Sequence, residues 1–206
     1  SINAPNCRKV RIFMAEKQIS IDSQNIDIAA GENLSPPFID INPHALLPTL
    51  QLSDNTIIDD SIAICRYLDE LHPSPALFGK TPFERATIES WQRRCEFEGM
   101  ARAMEVFRNR SSKFRQRALT GTTAPVKAIP ELVARGQAAL KRFYQDLDTQ
   151  LVNNNYVVRH SFSIVDITAI CIVDFACLLK AEIPEELTHL ANWRQRMHQR
   201  PSISEN

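Results

Sequence analysis

The stretch NPHALLPTLQLSDNTIIDDSIAICRYLDEL, residues 42–71, decides the fold. Thr49–Leu52 and Thr56–Ile58 are short apolar runs parted by Ser53, Asp54 and Asn55. That is a hairpin signal, with Asn tolerating the left-handed turn conformation. Pro48 stands just ahead of the first run, where a strand accepts proline. From Ser61 the apolar period becomes helical, through Ile64, Cys65, Leu68 and Leu71. Asp60 and Ser61 mark the junction, and both are ordinary helix caps. A helix start also offers unpaired N–H groups and a positive dipole end to an anion. Spacing alone leaves both readings of Asp60 and Ser61 open.

Upstream, Cys7–Gln18 is predicted as a helix with Val10, Phe13, Met14 and Lys17 at helical spacing. It opens on three cations, Arg8, Lys9 and Arg11. Gln24–Ile28 is predicted as a short strand, and Glu32–Ile41, broken by Pro36-Pro37, as a loop with a brief helical turn. Downstream, His72–Lys80 lacks periodicity and reads as a linker. Everything after it is helical. Thr81-Pro82-Phe83-Glu84 is a capping box with proline at the first helical position, opening a helix expected to reach about Arg108. Glu131–Leu151 carries the stripe Leu132, Gly136, Leu140, Phe143, Leu147, Leu151. Ser163 and Asp166 form a second capping box before a helix apolar on nearly every face, which must therefore be central. Pro184–Arg200 is the expected last helix, stopped by Pro201.

Composition agrees with two unlike segments. The chain has 206 residues, 44% of them hydrophobic and 23% charged, and zero net charge. A globular core fits these values, whereas disorder, collagen and a nucleic-acid binder's basic excess do not. Residues 1–80 hold 6 basic and 10 acidic side chains, the remainder 18 and 14. The apolar region Ile164–Leu179 contains two aspartates and is too short to span a bilayer. Five cysteines form no C-x-x-C pair, which excludes a zinc ribbon or dithiol motif, and no metal site is expected. Cys65, Cys171 and Cys177 lie among apolar residues and read as buried and reduced, which suits a cytoplasmic protein.

Four segments then carry a resemblance. Residues 6–17 (NCRKVRIFMAEK) are similar to the first helix of the glutathione transferases. Residues 42–50 (NPHALLPTL) resemble that family's N-P-x-G-x-V-P-x-L segment, Asp60–Ile64 its [ED]-S-x-A-I motif, and Ser163–Ile167 its S-x-A-D-I cap. They occur in the family's order and span nearly the whole chain. The branch most alike is the fungal and bacterial one that lacks a catalytic Tyr, Ser or Cys at the usual place. The resemblance implies an α/β thioredoxin-like glutathione-binding domain over residues 1–73, a linker over 74–81 and an all-helical domain over 82–206. It also implies a first β-strand ahead of Ser1, so that strand is expected to be missing from this chain.

The resemblance further implies a glutathione S-transferase, a cytoplasmic homodimer acting in detoxification, using glutathione as co-substrate with no other cofactor. Its second substrate would be a small hydrophobic electrophile; neither nucleic acid nor a membrane is an expected partner. Asp60 and Ser61 would take the γ-glutamyl end, Leu47 before a cis Pro48 the cysteinyl unit, and His44 the glycyl carboxylate. Leu46 stands where many relatives have Lys or Gln, and cannot reach that carboxylate. Ala4 stands where many have Ser or Cys, so Ser1, Asn3 and Asn6 become the candidates for stabilising the thiolate. Met100, Met104, Phe107 and Arg108 would wall the electrophile pocket, though a Met/aromatic stripe also reads as core. The cations Arg108 to Arg117 read either as a solvated loop or as an anion-attracting rim. A glutathione-dependent disulfide reductase or peroxidase, and a non-catalytic interaction protein on the same fold, are the alternatives that Ala4 and Leu46 keep open.

Overall fold

In the computed structural model, residues 1–158 and 161–206 are described. Helix α1 spans Pro5–Lys17, beginning two residues before the sequence reading because Pro5 occupies the first turn, where its missing N–H is no loss. The 3₁₀ turn Glu32–Leu34 and the four-residue α2, Phe38–Ile41, follow. Gln24–Ile28 does not form the expected strand. A strand exists only beside a ladder partner, and the sheet among the described residues consists of β1 (Leu50–Gln51) and β2 (Ile57–Ile58). These pair antiparallel, with Leu50 opposite Ile58 and Gln51 opposite Ile57. Asn55 makes the turn at φ 68°, in the left-handed region.

Helix α3, Ser61–Leu71, has the bounds read from the sequence. One Asp60 oxygen caps it, accepting from the Ile62 and Ala63 amides at 2.9 Å each. Its buried face, Ile62, Ile64, Cys65 and Leu68, shares a core with Val10, Ile12 and Phe13 of α1. His72–Lys80 has no helix or strand, yet Leu77 and Phe78 are buried and the Leu77 carbonyl accepts from the Ile164 amide. This connection is packed rather than free.

The capping box at Thr81 and Glu84 is present and opens α4, Pro82–Arg94. The single helix expected up to Arg108 is interrupted by a π-helical turn, Cys95–Met100, before α5, Ala101–Arg110. Gly99 lies in that turn, and a Cβ there would stand 2.8 Å from the Phe143 ring. Helix α6 spans Glu131–Leu151 and buries Gly136, Leu140, Phe143, Leu147 and Leu151. Helix α7, Ile164–Leu178, is buried without a break from Ile164 to Val173, as its all-round apolarity requires. Its capping box is made by Ser163 and Asp166. The helix expected over Pro184–Arg200 is shorter, α8 spanning Thr188–His198, and a separate short helix α9, Pro201–Ser204, follows it. Pro201 does not merely stop α8; it supplies the first position of α9, where proline fits. Four cysteines are buried and Cys177 is only half-buried; all five are free thiols.

Candidate functional site

The first turn of α1, the start of α3 and the wall formed by the π turn and α5 enclose a cleft of about 1030 Å³. Ligand clefts hold roughly 300–1,000 Å³, so this one has room for a peptide-sized ligand and a second small molecule. Asn6, Lys9, Asp60 and Ser61 line one side; Met100, Met104 and Arg108 line the other. A smaller cavity of about 120 Å³ shares Asn6, Met104 and Arg108 and adds Ala4 and Leu47. The two recesses therefore adjoin, sharing these walls at the start of α1.

Residues far apart in sequence are brought here by two helix starts. Ser61 follows the cap residue Asp60 at the head of α3, so its own amide belongs to the unpaired set of a helix N-terminus. Its side chain is buried, and its hydroxyl accepts from Lys9 Nζ at 3.1 Å. Lys9 Nζ also donates to Asn6 Oδ1 at 3.2 Å. Leu47 is presented by a loop whose brace is Asn42, only 1% exposed. The Asn42 amide donates to the Leu46 carbonyl at 3.2 Å and to Thr49 Oγ1 at 3.0 Å, while its oxygen accepts from the His44 amide. The Leu47–Pro48 bond is cis.

Other expected site residues fall elsewhere. Pro48 lines neither recess, although Leu47 does. His44 is exposed, pairs with Asp59 at 2.8 Å and lines neither recess. Ser1 and Asn3 are also absent from both walls, leaving Asn6 alone of the three thiolate candidates. Phe107 is the clearest correction. Its ring packs on Phe114 at 5.0 Å and Phe175 at 5.3 Å, away from the cleft. At about 100° per residue, the cleft face of α5 is centred on Ala101, Met104, Glu105 and Arg108, and Phe107 lies past its edge.

The basic stretch is neither a solvated loop nor an open rim throughout. Arg108 donates to the Arg117 carbonyl and stacks on Phe114. Burial, with Arg117 beside it, brings the Arg108 guanidinium down to about 10. Arg117 stacks on the same ring and donates to the carbonyls of Ile28 and Ala29, clasping the segment ahead of the first 3₁₀ turn. No cysteine lines either recess among the described residues. Burial pushes the Cys7 thiol up, so it is no nucleophile poised at the helix start.

Sequence reasoning missed Lys9 and Asn42. A signal for Lys9 was present, because three cations in the first two turns of α1 oppose the helix dipole. Cations so placed need some other reason to be there. Arg8 finds Asp174 and Arg11 finds the Ile2 carbonyl, but Lys9 finds only neutral partners among the described residues.

A thioredoxin-like N-terminal part with a cis-proline loop, capped by an all-helical part and sharing a cleft with it, defines the architecture. Known proteins agree with it. The glutathione S-transferase N-terminal domain family matches residues 4–71, and the glutathione S-transferase C-terminal domain family matches residues 102–201. Glutathione S-transferase 2 of Saccharomyces cerevisiae is 33% identical over 97% of this chain and 84% of its own length. The crystal structure of Gtt2 from that yeast superposes with a TM-score of 0.88 at 32% identity, covering 98% of this chain and 96% of the other. Elongation factor 1-gamma 2 of Oryza sativa is 30% identical over 83% of this chain but only 38% of its own length. The chain belongs to the glutathione S-transferase family.

Proposed function

We propose that the chain acts as a glutathione S-transferase, joining the glutathione thiolate to small apolar electrophiles in the cleft described above. The observation that carries the reading is the convergence of donors at the head of α3. Ser61 contributes an amide and a hydroxyl at a positive helix end, which suits the γ-glutamyl α-carboxylate. Asp60 uses one oxygen as the cap; its other oxygen is available to the neighbouring α-ammonium. Leu47, held by Asn42, supplies backbone groups for the cysteinyl unit. The sulfur then lies toward Ala4 and Asn6. Met100 and Met104 offer an apolar wall to an electrophile, and Arg108 adds a cation beside the reacting sulfur. The protein's contribution is orientation and partial ionisation of the thiol.

Ser61→Ala tests the reading. A hydrogen bond to a charged group is worth about 1.5–3 kcal/mol, so glutathione affinity by calorimetry should fall roughly tenfold or more. Unchanged affinity would remove Ser61 from the site. A cysteine-dependent disulfide reductase is disfavoured because no thiol reaches the cleft among the described residues. The likeness to elongation factor 1-gamma 2 keeps one other reading, an interaction module on the same fold. A wild type that binds no glutathione would favour it. Cytoplasmic location, detoxification and a homodimer belong to the same proposal and rest on the family; light scattering at twice 23.4 kDa is the check on the last.

A further inference from the structure

We propose that Lys9 is the positioning residue of this site: it fixes Ser61 and Asn6 as hydrogen-bond donors and holds the positive charge that the γ-glutamyl α-carboxylate of the substrate neutralises. The inference rests on the glutathione reading above and adds to it a residue that touches the substrate's anion only through its neighbours.

Lys9 is 1% exposed, at the cleft side of α1. An ammonium has three N–H donors and no acceptor. At the 3.1 Å contact, therefore, Ser61 Oγ must accept, and its own proton is left for another acceptor. No protein group takes that proton among the described residues. The same logic settles the Asn6 amide. Its oxygen faces Nζ at 3.2 Å, so its NH₂ is turned outward. Lys9 thus converts two ambivalent side chains into two donors at one end of the cleft.

The charge itself has no ion-pair partner in contact with it among the described residues. No carboxylate lies within ion-pair distance of Nζ among the described residues, whereas the other buried lysine, Lys17, pairs with Asp69. Asp60, the nearest acidic neighbour in sequence to Ser61, spends one oxygen on the α3 cap. A buried ion is strongly unfavourable unless paired. An anion bound beside Ser61 supplies the missing partner, and the cleft is where it enters.

The experiment compares glutathione with γ-aminobutyryl-cysteinyl-glycine, the same tripeptide without its α-carboxylate, by calorimetry on the full chain. Wild type should prefer glutathione by at least tenfold. Lys9→Met should weaken glutathione by at least tenfold and leave the analogue within about twofold, so the preference collapses; Lys9→Arg should restore part of it. A purely structural lysine would weaken both ligands alike. If Lys9→Met does not fold, Asn6→Asp hands the ammonium a carboxylate at the present contact and should erase the preference in the same way. A preference retained in Lys9→Met, or in Asn6→Asp, overturns the proposal, as does a wild type that binds both ligands equally. A wild type that binds neither overturns the glutathione reading itself, which tells the two failures apart.

Discussion

Arg8 of α1 and Asp174 of α7 form a 2.7 Å ion pair that ties the first helix to the central one. Asp174, acidic in an otherwise apolar helix, also accepts from Arg194 at 2.8 Å and His198 at 3.0 Å. Burial alone would raise its carboxyl, but the hydrogen bonds from Arg8, His198 and Arg194 outweigh it and hold the group below its ordinary range. Replacing the acid by an amide removes the charge and one of the two oxygens that these three donors share. Exposed pairs contribute up to about 1 kcal/mol and fully buried ones lose about 3–5 when broken. This half-buried set lies between, so Asp174→Asn should lower stability by about 2 kcal/mol in urea melts near neutral pH. Because the folded value is depressed, the contribution is present above the ordinary carboxylate value and lost as pH falls through the folded one. The gap between wild type and variant should therefore close in acid.

Asp166 should behave oppositely. Its side chain is fully buried and accepts from the Val157 and Ser163 amides, Ser163 Oγ and Trp193 Nε1. Burial lifts its carboxyl to about 6 despite those four donors. A raised folded value means stability present below the unfolded value and lost as pH rises through about 6. Wild type should thus lose stability relative to Asp166→Asn between pH 4 and 7, by up to about 3 kcal/mol at 1.36 per unit. Asp166→Ala, which strands four buried donors, should cost about 3–5 kcal/mol in acid, where the carboxyl is neutral, and less as pH rises and the wild type itself loses stability. A wild-type difference that does not move with pH would show the carboxylate to be charged throughout.

Gly136 is where α5 and α6 touch. A Cβ on it would meet the Arg102 carbonyl at 2.9 Å and Val106 Cγ2 at 2.8 Å. Backbone cannot step aside as a flexible side chain can. Gly136→Ala should therefore cost about 1–3 kcal/mol, the range for overpacking, despite alanine's better helix propensity. A stabilised variant would refute the close approach.

Much of this was legible because caps and periodicity are local. Thr81–Glu84, Ser163–Asp166 and the Ser61 start of α3 are written in residues within one turn of each other. The π turn at Cys95–Met100 was not: its surroundings, with Phe143 and Ile172 close against Gly99, come from two other helices and carry no local signal. Gln24–Ile28 had strand composition but no partner to pair with among the described residues. The site was half-legible for a similar reason. Asp60 and Ser61 announce a helix start wherever it occurs, but the phase of α5 that brings Arg108 in and leaves Phe107 out is set by packing. Lys9 acquires meaning only when Ser61, 52 positions away, arrives beside it.

Asn42 offers a test of the Leu47 loop without touching the substrate. Its three hydrogen bonds span Leu46, Thr49 and His44. Asn42→Ala leaves the Leu46 carbonyl with one fewer donor and the loop less fixed. KM for glutathione should rise several-fold while kcat at saturation changes little. A fall in kcat with KM unchanged would separate this loop from substrate binding.

The start of α1 bears on the thiol. Ala4 is the N-cap there, with no side-chain hydrogen bond, and it lines the smaller recess with Asn6 and Arg108. A free thiol titrates near ~8.5, and each unit of lowering requires about 1.36 kcal/mol of preference for the thiolate. No hydroxyl is supplied from position 4; what remains is a neutral amide, the helix end at about 0.3–1 kcal/mol and the Arg108 cation. These give a lowering of order one unit. Conjugation at limiting glutathione should then still rise roughly threefold or more from pH 7 to 8. Arg108→Gln should steepen that rise by returning the thiol toward its free value. Ala4→Ser should flatten the rise or leave it unchanged, and should stabilise α1 by about 1 kcal/mol as a new cap. A rate already level between pH 6 and 8 would mean a fully ionised thiol, and a stronger thiolate partner than Asn6, Arg108 and the helix end together provide.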